Sequence, residues 1–262
     1  MSFGSALGQD RWIIEEVFAS KRGGYFVEAG ALNGVDESNS VRLEREFGWQ
    51  GLCVEPTTAY FETLKQQRRC RLENVCLYDQ ATEVDFVEAG GHGGIPSSFS
   101  ASFGQQGRSI KKPALPLHTL LDRNGAPPVI DYLSLDTEGS EYTILKDFPF
   151  DRYRVLALTV EHNNHPPLRD RLRDLLQARG FVLAREVWVD DWWVHHSHFA
   201  TIDADRRELW RLLNKFPPDH EALRYRETRS RYDDLRAQTN SVPALLGQLS
   251  HVLRKRIRGK PA

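Results

Sequence analysis

The sequence predicts an α/β domain built on a mainly parallel sheet. Three observations carry this expectation. Short apolar runs alternate with amphipathic helical segments from about residue 25 to residue 180. Two of those runs end in an acid and a glycine, Phe26-Val-Glu28-Ala-Gly30 and Leu133-Ser-Leu-Asp136-Thr-Glu138-Gly139. Residues 181–189 and 192–202 then read as two strands joined through Asp190-Asp191 with no helix between them, so that pair should be antiparallel.

The elements follow in order. Residues 10–20 read as a helix capped by Asp10, with Trp12, Ile13, Val17 and Phe18 at helical spacing. Gly23-Gly24 breaks it. Residues 25–29 form a strand, 30–34 a glycine turn, and 36–47 a helix. A strand at 51–55 leads into a helix at 57–68. A third strand covers 71–77, with 84–87 close behind it. Residues 89–113, rich in Gly, Ser and Lys, read as a long loop. A short helix at 117–123 ends at Asn124-Gly-Ala-Pro-Pro128. The strand at 130–135 runs into a helix at 140–148. A strand at 154–161 and a helix at 167–179, with Pro at its first turn and Gly180 closing it, complete the alternation.

From about Asp203 the chain changes character. Arginines interleave with fewer acids, and residues 242–257 place Val242, Leu245, Leu246, Leu249, Val252 and Leu253 on one helical face before a basic end. The expected division is therefore a domain at 1–202 and a helical C-terminal extension at 203–262. The last helix suits packing on the domain or on a second copy, hence a homo-oligomer, with peripheral membrane contact as the other reading.

Composition narrows the function. The net charge of −1 excludes a general polyanion binder. Cys53, Cys70 and Cys76 show no CxxC spacing and read as free thiols of a reducing compartment. The first residues lack a basic and apolar leader, and no apolar run approaches membrane length, so the expected location is cytoplasmic.

The chemistry concentrates at strand ends. Asp136, Glu138 and Glu141 crowd one strand-to-helix junction. Capping that helix needs only one acid, so the crowd points to a reaction site at the carboxyl edge of the sheet, where open α/β folds bind ligands. Glu28 precedes the first glycine turn, where it would repel a diphosphate and attract a cationic amino-acid group. Glu55 ends the next strand, about 20 residues past Gly34, the usual place for an acid that binds ribose hydroxyls. The missing third glycine argues against a dinucleotide and favours S-adenosylmethionine.

These residues resemble the FkbM-type S-adenosylmethionine-dependent methyltransferases. The matching pieces are Phe26-Val-Glu-Ala-Gly-Ala-Leu-Asn-Gly34, Cys53-Val-Glu-Pro56, the whole of 130–145 and Leu156-Ala-Leu-Thr-Val-Glu-His-Asn163. They span roughly residues 23–200. The resemblance implies a Rossmann-like class I methyltransferase fold and O-methylation of a sugar, glycan or related metabolite. It implies cofactor contacts at Glu28, Ala29, Gly30, Ala31, Asn33, Gly34, Ser38, Glu55, Pro56 and Asp136. Family members often carry Asp where this chain has Glu28, and residues beyond 203 match nothing in the pattern.

Methyl transfer to a hydroxyl needs alignment and removal of a proton, by a base or through a metal. Asp136, His162 and Glu138 are the expected catalytic residues. By analogy with catechol-type enzymes, Asp136, Glu161 and His162 are expected to hold Mg²⁺ or Mn²⁺. His92, Ser97 and Ser98 lie in the long loop and could face the acceptor. His196 and His198 should share one face of the last strand, and Trp188, Trp192 and Trp193 read as core or a sugar platform. The other readings are an NAD(P)-dependent oxidoreductase and a catalytically inactive cofactor-binding module. A nucleic-acid substrate is not expected, because the edge is acidic.

Overall fold

The computed structural model describes residues 4–96 and 107–214. Within them, ten strands form two sheets. The larger has the order β3-β2-β1-β7-β8-β10-β9. Its strands are β1 (Tyr25–Ala29), β2 (Gln50–Val54), β3 (Arg71–Glu73), β7 (Val129–Leu135), β8 (Arg154–Glu161), β9 (Phe181–Val187) and β10 (Asp190–His195). All neighbours pair in parallel except β10, which is antiparallel to both β8 and β9. This is the Rossmann-like sheet with a terminal antiparallel strand that the sequence leads one to expect.

Alternation along each strand decides which layer a side chain enters. Val27, Leu52, Val54, Leu133 and Leu135 face one layer, where α4 (Leu117–Arg123), α5 (Glu141–Leu145) and α6 (Pro166–Ala178) supply Leu120, Ile144, Leu172 and Leu176. Phe26, Cys53, Tyr132, Ala157 and Trp192 face the other. There they meet Leu43 of α2 (Val41–Phe47), Leu64 of α3 (Thr58–Gln67) and the N-terminal helix. That helix begins as one α turn, α1 (Gln9–Arg11), and continues as a π-helix over Trp12–Val17. Helices on both faces follow from parallel strands, whose crossovers must cover each side.

Several boundaries differ from the sequence expectation. The 71–77 segment splits, because Cys76–Leu77 (β4) leaves the main sheet. It pairs with β6 (Arg108–Leu115), which pairs antiparallel with β5 (Thr82–Glu88). Residues 108–113, expected as loop, are therefore strand. The last strand ends at His195, and His196–Phe199 form a short helix, α7, so His196 and His198 do not share a strand face. Asp190 and Asp191 start β10 rather than forming the turn, which lies at Trp188, with φ of 53°. The first part of the expected extension, α8 (Ala204–Asn214), packs on the domain: Trp210 is 1% exposed and lies 5.8 Å from Trp12. Ser97, Ser98 and the amphipathic segment 242–257 fall outside the described residues. Among the described residues no helix is long and apolar enough to cross a membrane.

One glycine is fixed by this architecture. Gly30 leaves β1 with φ of +81°, and a Cβ there would lie 1.9 Å from the carbonyl oxygen of Asp136. The glycine lets two strand ends meet. Gly30→Ala is expected to cost at least about 2 kcal/mol, from left-handed strain plus a collision with backbone. Urea denaturation checks this, and a loss below 0.5 kcal/mol (roughly the scatter of neutral surface changes) would refute it.

Candidate active site

The strand order reverses between β1 and β7, and the carboxyl ends of these strands open a crevice there. A partly open cleft occupies it. Its floor is Ala29, Gly30 and Leu32 after β1, Glu55 and Pro56 after β2, and Asp136 to Glu138 after β7. Leu77, Phe86 and Ile95, from the small sheet and the segment after it, form an apolar wall.

Glu55 is buried, and its carboxylate accepts from the amides of Leu32 (2.8 Å) and Thr57 (2.7 Å). Burial pushes its pKa up, and the two backbone amides oppose that shift. A carboxylate clamped by main chain on two sides keeps its remaining lone pairs aimed at one place.

Glu28 behaves differently. It shares strand parity with Phe26 and so enters the helical layer beneath the turn. It is 3% exposed and accepts from Ser38 Oγ, Ser40 Oγ (2.5 Å), the Asn39 amide and Arg68 Nη1 (3.3 Å). The expected attraction for a cationic ligand is corrected here, because the cation Glu28 meets is Arg68. Ser38 is likewise spent inside this network, where it also accepts from Arg68 and the Val41 amide. The glycines were expected to admit a ligand close to the backbone. Gly30 lines the cleft and also lets Asp136 come close, whereas a Cβ on Gly34 would meet Leu64 and Arg68. Asn33 accepts from the amides of Val35 and Asp36, which closes the turn, and Ala31 is buried.

At the end of β7 the acids converge. Oxygens of Asp136, Glu138 and Glu161 all lie within 4.8 Å of one another. Asp136 opens to the cleft, while protein surrounds it on its other sides. Asp136 is itself exposed to the cleft, so the protein packed behind it and the neighbouring acids Asp190, Glu138 and Glu141 raise its pKa, with solvent in the cleft moderating the shift. Glu161 is raised for the same reasons, burial first and then Asp136. Carboxyls this close disfavour each other's ionisation.

Asn163 braces the cluster: its amide donates to Glu138 (3.1 Å) and Glu161 (2.9 Å). His92 reaches across from the other side of the cleft, with Nδ1 3.0 Å from Glu138. Glu141 holds the turn, accepting from the Thr137 amide and hydroxyl and from the Gly139 amide. Glu138, Asn163 and Asn164 all have φ between 50° and 57°. Non-glycine residues in that region carry strain that sites of function often store.

His162 does not join the cluster. It follows Glu161 by one residue, points away and is 1% exposed. Its Nδ1 accepts from the Asn164 amide, and its Nε2 lies 3.7 Å from Asp191, which Arg169 and Arg173 also hold. The expected role of His162 as metal ligand or base is therefore corrected, and Glu138 takes the third position beside Asp136 and Glu161. The sequence reading did not single out Asn163 or Arg68. A polar residue just past an acid-ended strand was the signal available for Asn163.

Asp190 lies behind Glu161 in the sheet and accepts from Gln9 and Trp192. Burial pushes its pKa up to about 7. A carboxyl raised in the folded state binds protons that the unfolded chain has released. Stability therefore falls as pH rises from its ordinary value toward 7, and no further above that. Asp190→Asn, which keeps the acceptor oxygen, is expected to remove up to about 4 kcal/mol of that decline. Denaturation of both proteins at pH 4.5 and 7.5 checks this, and equal slopes would refute it.

The model of the methyltransferase FkbM domain matches residues 28–183. No curated protein matches the sequence. Among solved structures, methyltransferase FkbM from Methylobacillus flagellatus is 14% identical, with 70% of this chain and 48% of that one covered and a TM-score of 0.47. A TehB-like SAM-dependent methyltransferase from Corynebacterium glutamicum is 13% identical, with 71% and 84% covered and a TM-score of 0.37. The N-terminal domain of human METTL16, in complex with SAH, is 11% identical, with 74% and 70% covered and a TM-score of 0.37. The chain spans about half the length of the first of these structures.

Proposed function

The chain belongs to the FkbM methyltransferase family, and on that premise we propose that it transfers a methyl group from S-adenosylmethionine to a hydroxyl of a sugar, glycan or related metabolite. The residues that line the cleft support this donor. Glu55 is positioned to accept from a ribose diol, and the apolar wall of Leu77, Phe86 and Ile95 suits an adenine ring. S-adenosylmethionine supplies an electrophilic methyl on a sulfonium, so the protein's own task is to deprotonate and align the acceptor.

The observation that carries the reading is the Asp136–Glu161 pair. A carboxylate at ordinary acidity is a poor base for an alcohol. The protein packed behind this pair and the neighbouring acids raise it and make it a better one. Asp136, open to the cleft, takes the proton, and Glu161 shares it. Asn163 keeps Glu161 and Glu138 at fixed separation. Glu138 and His92 lead from the pair toward solvent.

Calorimetry with S-adenosylmethionine and with NAD tests the donor, and methyl transfer to a panel of sugars tests the acceptor. Binding of NAD alone would overturn the reading in favour of an oxidoreductase. Donor binding without turnover on any hydroxyl would favour an inactive binding module. The convergence of Asp136, Glu138 and Glu161 favours one variant, in which Mg²⁺ or Mn²⁺ replaces the shared proton. Loss of turnover in EDTA, restored by either ion, would select that variant, and full turnover in EDTA would dismiss it.

A further inference from the structure

The three cysteines are not equivalent. Cys76 is buried in the small sheet against Phe86, Ile95 and Ala114. Cys53 and Cys70 touch each other, with sulfurs 3.5 Å apart, although 17 residues separate them in sequence. Cys53 lies on β2 and pairs in register with Leu72 of β3. Cys70 stands two residues before Leu72, so the same parity points it at the same layer. Cys53 is fully buried and Cys70 half-buried, on the segment between α3 and β3.

We propose that Cys70 and Cys53 form a thiol modification site, in which a disulfide such as glutathione disulfide oxidises the pair to an intramolecular bond that loosens the turn after β1. Cys70, the accessible sulfur, attacks as thiolate and forms a mixed disulfide, releasing one glutathione thiolate. Cys53 then attacks the Cys70 sulfur and displaces the second glutathione. Its proton has an acceptor in place, because Cys53 Sγ lies 3.8 Å from Glu28 Oε2 and donates to it. That proton passes on to the departing glutathione thiolate. The protein loses two electrons and two protons, and glutathione disulfide gains both. Burial raises the Cys53 thiol well above its usual range, which is why Cys70 starts the reaction and Cys53 completes it.

The consequence follows from what surrounds the pair. A disulfide brings the sulfurs to about 2 Å and draws Cys70 inward. Two residues earlier, Arg68 holds Glu28, the carbonyl of Gly34, Ser38 and Ser40. The bond also removes the S–H that Glu28 accepts. Both changes bear on the turn after β1, and the effect on donor affinity rests on the donor reading above.

The test uses the full chain in glutathione redox mixtures, with intact mass, peptide mapping and S-adenosylmethionine calorimetry. The protein should lose two hydrogens in mass through a Cys53–Cys70 link. Donor affinity should fall about fivefold and return with dithiothreitol. Cys76→Ala should form the same link, read by mass and mapping. Cys53→Ala should stop at a glutathione adduct on Cys70, and Cys70→Ser should do neither. Persistence of the glutathione adduct in the unmodified sequence, mass loss in Cys70→Ser, or unchanged affinity after the link forms would overturn the proposal. If the reduced protein does not bind S-adenosylmethionine at all, the donor reading fails, and the mass and mapping results still decide the thiol chemistry.

Discussion

Asp136→Asn is expected to lower kcat about a thousandfold while leaving donor affinity and folding nearly intact. General-base removal typically costs two to four orders of magnitude. The amide matches the carboxyl in shape but cannot take a proton from a hydroxyl. The strand end itself does not depend on the charge. The Asp136 amide donates to the carbonyl of Ala29, and the following turn is held by Glu141. Glu161 loses an acidic neighbour, and its own raised pKa should relax downward because its second cause is removed. Asparagine can still donate to Glu161, so the cluster should stay assembled. Single-turnover rates with saturating donor, together with thermal denaturation, separate chemistry from folding. A variant within tenfold of the natural rate would refute the base assignment.

The contrast between Asp136 and His162 marks how far a sequence of this kind can be read. Strand ends were legible, because a continuous apolar run that stops at acids and a glycine fits little besides a buried strand leaving its sheet. That reasoning located Asp136, Glu138, Glu161 and Glu55 at one edge of the sheet, and the structure brings all four there. Which way a residue turns once its strand has ended is not periodic. His162 follows Glu161 by one residue and lies toward Asp191, and Asn163 and Asn164 then take left-handed backbone, which brings Asn163 back to the acids. The strand β6 was hidden for a different reason. Its inward positions are Ile110, Lys112 and Ala114, and a lysine at the centre erases the alternation. The structure accounts for that lysine: its ammonium, 7% exposed as a residue, donates to Thr58 Oγ1 and Asn74 Oδ1. The N-terminal helix was expected, but its π-helical middle was not, since apolar spacing does not distinguish one extra residue per turn.

Arg68→Met should destabilise the protein by about 3–5 kcal/mol. Parity alone sends Glu28 into the helical layer, and a charge sent there needs a partner. No local pattern names one, because Arg68 comes from the far end of α3, 40 residues away. The Arg68 side chain is wholly buried. It donates to Glu44 (2.6 Å), Ser40 (2.8 Å), Ser38, Glu28 and the Gly34 carbonyl, and it lies over the ring of Phe26. Methionine keeps much of the apolar stem but leaves Glu28 buried with no opposing charge, held by hydroxyls, the Asn39 amide and the Cys53 thiol. Glu28→Gln alone should cost less, since Arg68 keeps Glu44. The double variant should recover part of the loss, because the uncompensated charge is then gone. A double-mutant cycle measured by urea denaturation reads that coupling. Additive losses would mean that Arg68 stabilises the protein through packing, Glu44, the serines and the Gly34 carbonyl rather than through Glu28. A coupling of 1 kcal/mol or more, on the order found for contacting networked residues, would establish that Glu28 serves to anchor the turn from below, leaving Glu55, Asp136 and Glu138 as the acids that face the cleft.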